Sequence, residues 1–275
     1  MGTLFVIATP IGNRRDLSPR ARETLATCQL IAAEDTRHTG QLLAAESIRV
    51  KQISFNEHNL SARLPTILEA LASGDVGLVS DAGTPTISDP GYQLVDAAHA
   101  AGFPVRAVPG PSSVVAALSV AGVPATPFLF AGYVPRTRGG ISSFLEQWRM
   151  LGMAVVAFES PNRIAKTLAQ FAAEAPDASI AICRELTKLF EQVARGTASD
   201  LVVAMDRGEI PAKGEFVLVL APAPVHAGSN VAELLQRALD DGMSPSEAAK
   251  RTARETGEAR SDLYRKALLL KNPDA

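Results

Sequence analysis

Short apolar runs alternate with stretches of helical periodicity along most of this chain, and that alternation narrows its fold more than any other feature. TLFVIAT, LIAAE, VGLVS and PVRAVPG are compact apolar runs, and SPRARETLATC, GYQLVDAAHAAG and SSVVAALSVAG between them carry apolar residues at helical spacing. Strands that are apolar throughout are covered on both faces, so the rhythm predicts an α/β layer with a largely parallel sheet. Helix starts are marked where Ser18 precedes Pro19, where Asp89 precedes Pro90 as a capping residue, and where Ser112 follows the Pro109-Gly110-Pro111 break. From about Thr126 to Ala221 the pattern resumes with FLFAGYV, ISSFLEQWRML, MAVVAFES, RIAKTLAQFAAEA, SIAICREL and, after a turn, FVLVLAP. A second α/β lobe is expected there.

The expected organisation is an N-terminal α/β lobe over 1–122, a second α/β lobe over 123–222 and a small helical, helix-turn-helix-like tail over 230–275. The tail consists of VAELLQRALDDG, SPSEAAKRTARETG and RSDLYRKALLLK, with Gly242 and Gly257 as helix stops, and APAPVHAGSN before it reads as a linker.

Charge does not choose a partner. With 27 Lys plus Arg against 29 Asp plus Glu, any nucleic-acid binding must come from local basic surface. The tail balances eight basic against eight acidic residues, so packing or dimerisation stands beside nucleic-acid contact as its role. Cys28 and Cys183 lie inside apolar runs without a CxxC or Cys/His cluster, which argues against a disulfide framework and a metal site and for a reducing cytoplasm. The N-terminal apolar stretch is too short for a signal or membrane segment, and no later run approaches about 18 residues, so no membrane partner is expected.

Charged and glycine-bearing loops follow the strands. ATPIGNRRDLSP joins a strand to a helix, where free backbone amides can meet a ligand; an ordinary turn would look the same, since Gly12 stands alone. VSDAGTPTISDPG is a rigid loop in which Gly83 allows close approach to the main chain and Asp81 can bond a ribose or an ammonium group. In VPGPSSVVAAL, Ser112 and Ser113 either cap a helix or touch a cofactor. AEDTRHTGQLL crowds Glu34, Asp35 and Arg37 at a strand end, where carboxylates and a cation perturb one another or simply form an ion-pair network. His58, Glu159 and Glu185 occupy similar places in FNEHN, FESPNR and RELTKLFE, each of which also fits a solvated face.

The ordered set TPIGN, AEDTR, SDAGTPTISDPG, VPGPSS, FLFAGYVPR, FESPNR, RELTK and KGEF resembles the bacterial small-subunit ribosomal RNA methyltransferase I family, within the tetrapyrrole methylase superfamily. The likeness runs from Leu4 to about Ala221, and the tail is similar to that family's C-terminal region. It implies two lobes of the tetrapyrrole methylase type with S-adenosylmethionine in the cleft between them. It further implies methyl transfer to the ribose 2′-hydroxyl of a cytidine in 16S ribosomal RNA near the decoding centre, by a cytoplasmic homodimer without metal. TPIGN and DAGTP stand where small-molecule members carry GxGxGD-type and GGDP-like loops. The resemblance therefore maps cofactor contacts onto Gly12, Ala82, Gly83, Thr84 and Ile87, then onto Ser112 and Ser113, with Phe158 and Gly196 near the adenosine.

A ribose hydroxyl is a weak nucleophile, and a group accepting its proton adds on the order of 10²–10⁴-fold. Glu34, Asp35 and Arg37 are the expected catalytic group, ahead of His58, Glu159 and Glu185. Arg14, Arg15, Arg136, Arg138, Arg163, Arg184 and Lys188, with Arg37, form the expected basic rim for 16S ribosomal RNA or the small ribosomal subunit, and Tyr133 either stacks on a base or serves as a core or hinge aromatic. Two other readings remain: a methyltransferase acting on a small tetrapyrrole-like metabolite, which predicts a closed apolar cleft, and a ligand-sensing regulator whose tail binds DNA.

Overall fold

The computed structural model describes residues 1–223, 231–256 and 258–271. Its first sheet contains β1 (Leu4–Ile7), β2 (Leu30–Ala33), β3 (Lys51–Ser54), β4 (Val76–Val79) and β5 (Val105–Val108), all parallel in the order β3-β2-β4-β1-β5. Successive side chains on a strand point to opposite faces. Leu4, Leu30, Ala32, Val76 and Leu78 accordingly pack with Ile67 and Leu71 of α3 (Leu60–Ser73) and with Leu94 and Ala98 of α4 (Tyr92–Ala100). Ile7, Ile31, Ala33 and Val79 pack with Ala21 and Leu25 of α1 (Pro19–Thr27) and with Leu43 of α2 (Thr36–Ala45). A parallel sheet sends all its carboxyl ends to one edge, so the loops after β1, β2, β4 and β5 open on the same side.

The second sheet is mixed. It contains β6 (Phe128–Tyr133), β7 (Ala154–Glu159), β8 (Ser179–Arg184), β9 (Gln192–Thr197) and β10 (Phe216–Leu220) in the order β6-β7-β10-β8-β9. Only β6 and β7 run parallel; the other three pairs are antiparallel. The edge strand β9, QVARGT, has no apolar run because its residues are half-buried or exposed, which is why the apolar rhythm passes over it. One face of this sheet is covered by α6 (Arg138–Leu151), α7 (Ile164–Glu174) and α8 (Ala198–Asp206), through Leu145, Trp148, Leu168, Phe171 and Leu201.

The opposite face is covered from the first lobe. Helix α5 (Ser113–Ala121) leaves β5 and lays Val114, Ala117, Leu118 and Ala121 on Val156, Ala181, Cys183, Val217 and Val219. It ends at Gly122 in the left-handed conformation, whose carbonyl accepts a 2.9 Å bond from Arg195 on β9. One helix therefore belongs to the first lobe by sequence and to the second by burial, and the PGPSS loop before it lies at the seam.

The tail helices α9 (Val231–Asp240), α10 (Pro245–Thr256) and α11 (Arg260–Lys271) enclose their own core of Leu235, Ala238, Ala248, Ala249, Leu263 and Ala267. Ser244 starts α10 by reciprocal bonding with Glu247, at 3.3 Å from the Glu247 amide and 3.0 Å from the Ser244 amide to the carboxylate. Most of the expected linker, at 224–230, and the expected stop Gly257 fall outside the described residues. Among the described residues no helix is long and apolar enough to cross a membrane.

Candidate cofactor crevice and reaction cleft

Three loops of the first sheet are tied together at its carboxyl edge. Thr9 and Gly83 exchange backbone bonds of 2.8 and 3.0 Å, joining the loop after β1 to the loop after β4. Thr84 donates its hydroxyl to the Pro111 carbonyl at 3.1 Å, which joins that loop to the one after β5. Gly83 has φ +79°, and Thr86, Ser88 and Gly91 also lie at positive φ, so the segment is folded into a conformation that only a cross-linked loop holds.

A narrow crevice of about 60 Å³ opens beside this junction. Its wall contains Ala82, Gly83, Thr84, Ile87, Ser112, Ser113 and Phe158, seven of the ten residues expected to touch a cofactor. Ser112 is the N-cap of α5 by position, yet its side chain makes no capping hydrogen bond, so its hydroxyl is left facing the crevice it lines. Phe158, from β7 of the second lobe, is held edge-on by Phe130 at 5.0 Å and Tyr133 at 5.5 Å between ring centroids. Tyr133 itself is 61% exposed.

Asp89 is not the helix cap its position before Pro90 suggests. The left-handed residues Thr86, Ser88 and Gly91 carry the chain past it, and α4 is capped at Gly91 without a side-chain bond. Asp89 lines the crevice instead, and burial pushes its carboxyl above the ordinary aspartate value despite a hydrogen bond from Ser80.

Ala82 also borders a second, wider cleft of about 560 Å³, walled by Gly12, Arg14, His38, Gln41, Asp81 and Lys188 among others. Gly12 and Asp81, two more of the expected cofactor residues, lie here. Gly12 is needed for the closing of the lobes, since a Cβ there would stand 2.4 Å from Lys188 Cγ, and the neighbouring Asn13 amide donates to Thr187 Oγ1 at 3.0 Å. Gly196, the tenth, is not brought to this place. It sits on β9 paired with Ile180, three strands from Phe158, and a Cβ there would face Asp200.

The AEDTR carboxylates have different states. Asp35 caps α2, accepting from the Arg37 amide at 2.8 Å, and also takes the Arg37 guanidinium at 2.6 Å; these bonds hold its carboxyl far below the usual range. Glu34 is half-buried, and burial raises its pKa above the ordinary value; the bond it accepts from the Asp81 amide at 3.2 Å opposes this, and the charges of Asp89, Asp81 and Asp35 add to it. Asp81 in turn accepts from the Asp35 amide at 3.1 Å and lies 3.9 Å from His38 Nδ1. Of the two acids, Glu34 is the stronger base. Arg37, 88% exposed on its side chain, pairs with Asp35 in water, and such pairs are weakly held, so it can exchange partners for a phosphate.

The second lobe treats its strand-end charges otherwise. Glu159 has a fully buried carboxylate, a state that costs several kcal/mol when unpaired. Ser160 N at 2.7 Å, Thr167 Oγ1 at 2.6 Å and Arg163 at 3.2 Å satisfy it. Arg163 also donates to the carbonyls of Val134 and Pro135. Arg184 is buried and donates to the carbonyls of Lys213 at 2.6 Å and Phe190 at 3.1 Å. Lys188 bridges Glu185 at 2.9 Å and Glu215 at 3.1 Å. Burial of Glu185 raises its pKa, but the bonds from the Glu215 amide and Lys188 outweigh it and leave the carboxyl lowered. Arg163 and Arg184 thus hold the lobe together, a correction to their place in the expected basic rim, while Lys188 is paired yet lines the wider cleft. Arg14, Arg15, Arg136 and Arg138 are exposed, and His58 stands exposed on its own turn.

His38 and Gln41 had not been expected at the cleft. They lie one turn apart on the helix that begins at Thr36, so i to i+3 spacing was the signal that would have found them. Glu215 reaches the cleft from KGEF because Gly214, at φ +91°, turns the chain against Glu185.

Comparison with known proteins agrees with the two-lobed fold. The Tetrapyrrole (Corrin/Porphyrin) Methylases family model matches residues 3–202, and the RsmI C-terminal HTH domain model matches 226–271. A protein named ribosomal RNA small subunit methyltransferase I from Neisseria meningitidis is 42% identical over 98% of this chain and 94% of its own length. Among solved structures, a diphthine synthase matches with TM-score 0.61 at 16% identity, covering 80% of this chain and 90% of its own. A Thermus thermophilus uroporphyrin-III C-methyltransferase complexed with S-adenosylhomocysteine matches with TM-score 0.53 at 15% identity, covering 81% and 98%. The two family models together and the curated relative alone cover most of the expected lobes and tail, and the chain belongs to the ribosomal RNA small subunit methyltransferase I family, within the tetrapyrrole methylases.

Proposed function

We propose that this chain transfers the methyl group of S-adenosylmethionine to the ribose 2′-hydroxyl of a cytidine in 16S ribosomal RNA near the decoding centre. The observation that carries this reading is the meeting of two unlike spaces at Ala82: a narrow crevice walled by Gly83, Thr84, Ser112, Ser113 and Phe158, and an open cleft with the charged Arg14, Asp81, Lys188 and Glu215 on its wall. The crevice suits one part of the cofactor, because Gly83 has no Cβ where the chain turns through positive φ and Ser112 has an uncommitted hydroxyl; the rest of a molecule that size extends past Ala82 into the wider cleft. When bound there, the sulfonium supplies an electrophilic methyl group.

The residues of the chain do the rest. Holding the acceptor oxygen in line is worth much of the rate, and Gly83, Thr84, Ser112, Ser113 and Phe158 fix one side of that geometry. Glu34, whose raised pKa brings it toward the working pH, accepts the ribose proton, while Asp81 and Asp35 fix its loop through the bonds between them. Arg14, Arg15, Arg136 and Arg138, with Arg37 released from Asp35, hold backbone phosphates. The open form of the wider cleft and the charged Arg14, Asp81, Lys188 and Glu215 on its wall favour RNA over a tetrapyrrole-like metabolite, for which a closed apolar cleft is expected. We read the enzyme as a cytoplasmic homodimer, with the exposed Phe128 and Leu129 of edge strand β6 as apolar surface for a second copy.

The test is incubation of purified, unmethylated small ribosomal subunits with methyl-labelled S-adenosylmethionine, followed by digestion of the RNA to nucleosides. Label is expected in 2′-O-methylcytidine. Absence of label, or label on a base, refutes the proposal.

A further inference from the structure

The loop between β8 and β9 shows two leucines in opposite situations. Leu186 is buried in the core between the lobes, whereas Leu189 and Phe190, a few residues on, are 89% and 68% exposed. A mobile loop would fold such side chains away, but this loop is fastened on both sides of its tip. Arg184 donates to the Phe190 carbonyl, the Glu191 amide donates to the Lys188 carbonyl at 3.1 Å, the Thr187 amide donates to the Glu191 carboxylate, and Lys188 is clamped by Glu185 and Glu215. These bonds, anchored on the buried Arg184, hold an apolar pair out in water.

The surroundings suggest what covers it. Lys188, immediately before the pair, lines the wider cleft and packs against Gly12. Two and three residues beyond Gly12 stand Arg14 and Arg15, whose guanidinium groups have no hydrogen bond or ion pair among the described residues. An aromatic and an aliphatic side chain next in sequence to a lysine that lines the cleft, with Arg14 on the wall of the same cleft, match the chemistry of a nucleotide, with a flat apolar base and an anionic phosphate. A second copy of the chain would also cover the apolar pair, and the sedimentation arm of the experiment below separates that case from RNA.

Resting on the RNA reading above, we propose that Leu189 and Phe190 form a wedge that stacks against a nucleobase flanking the target nucleotide and keeps the target ribose turned into the cleft, while Arg14 and Arg15 hold the adjoining phosphates. Splaying a nucleotide out of its neighbours needs a surface that replaces the lost stacking, and apolar side chains supply it in other nucleic-acid complexes.

The experiment measures methyl transfer to unmethylated small subunits by the full-length wild type, Phe190→Ala, Leu189→Ala with Phe190→Ala, and Phe190→Trp. Cofactor affinity and sedimentation are followed in parallel. The expected result is a fall of about 10- to 100-fold in kcat/KM for the subunit in the double variant, from the usual value of a base–aromatic stack, with Phe190→Trp retaining activity and cofactor affinity unchanged. Unchanged kcat/KM in the double variant overturns the wedge. So does a loss that accompanies a change of oligomeric state, which assigns the pair to a contact between copies. Wild-type enzyme that leaves the subunit unmodified sinks the proposed function and the wedge together, whereas an active wild type with indifferent variants sinks the wedge alone.

Discussion

The two lobes place the same residue types at the ends of their strands and use them in opposite ways. In the first, Glu34 and Arg14 follow parallel strands whose carboxyl ends share one edge; Arg14 lines the wider cleft, and Glu34 is bonded to Asp81, which lines it too. In the second, Glu159 and Arg184 follow strands of a mixed sheet, and both are turned inward, each satisfied by three or two partners of the same lobe. Parallel topology gathers strand ends into a common opening, whereas Arg184 ends a strand with antiparallel neighbours, where returning chain offers the Lys213 and Phe190 carbonyls, and Glu159 is satisfied by the segment that follows its own strand. A charge after an apolar run is therefore evidence about chemistry only once the direction of its neighbours is known.

The contrast can be broken most sharply at the two glutamates. Glu34→Gln is expected to lower kcat by about 10²–10⁴-fold in single-turnover methylation. Glu159→Gln is expected to keep kcat within a few-fold while urea unfolding shows a loss of about 2 kcal/mol, from weakened bonds to a buried carboxylate. A large loss of kcat in folded Glu159→Gln would show that the lobes share the chemistry. The pH profile sharpens the same point. Glu34 must be ionised to act, and burial raises its pKa, so the acid limb of kcat should lie above the ordinary glutamate value near 4.5 and vanish in Glu34→Gln. Stability follows the matching sign, because burial disfavours the carboxylate: the cost is absent below the unfolded value, grows as pH rises from there through the raised folded value, and is complete above it.

Next in size is the arginine pair. Arg184→Met leaves the Lys213 and Phe190 carbonyls without donors and should cost about 2–4 kcal/mol in chemical denaturation, whereas Arg14→Met should change stability by less than about 0.5 kcal/mol. Equal stability effects would remove the distinction between the lobes. Smaller still is the glycine comparison. Gly83→Ala puts a Cβ at φ +79°, with a cost of about 1–2 kcal/mol, and should weaken S-adenosylmethionine binding about tenfold by calorimetry. Gly196→Ala points at Asp200 and should leave that affinity within about twofold; a larger loss would bring β9 back into the cofactor site. The smallest effect belongs to the exposed cations. Arg14→Met and Arg15→Met should each reduce the slope of log affinity against log salt by about one in RNA binding, with cofactor affinity untouched.

By itself the sequence determined what is local: runs of apolar residues set strands and helices, Ser18 set the start of α1, and the glycine and proline loops after β1, β4 and β5 marked where a ligand can meet backbone. Those signals were readable because dihedral preference and periodicity act over a few residues. Edge strand β9 lacked an apolar run and was not readable in that way, and the helix start expected at Asp89 was displaced by left-handed residues that a loop tied to its neighbours sustains. Tertiary structure alone decided that α5 covers the opposite sheet, that Glu34 is half-buried and bonded to Asp81, that Arg184 is internal while Arg14 is exposed, and that Leu189 and Phe190 are held in water. Each of these depends on partners distant in sequence, because burial and the pairing of charges are settled by what the fold brings alongside a residue.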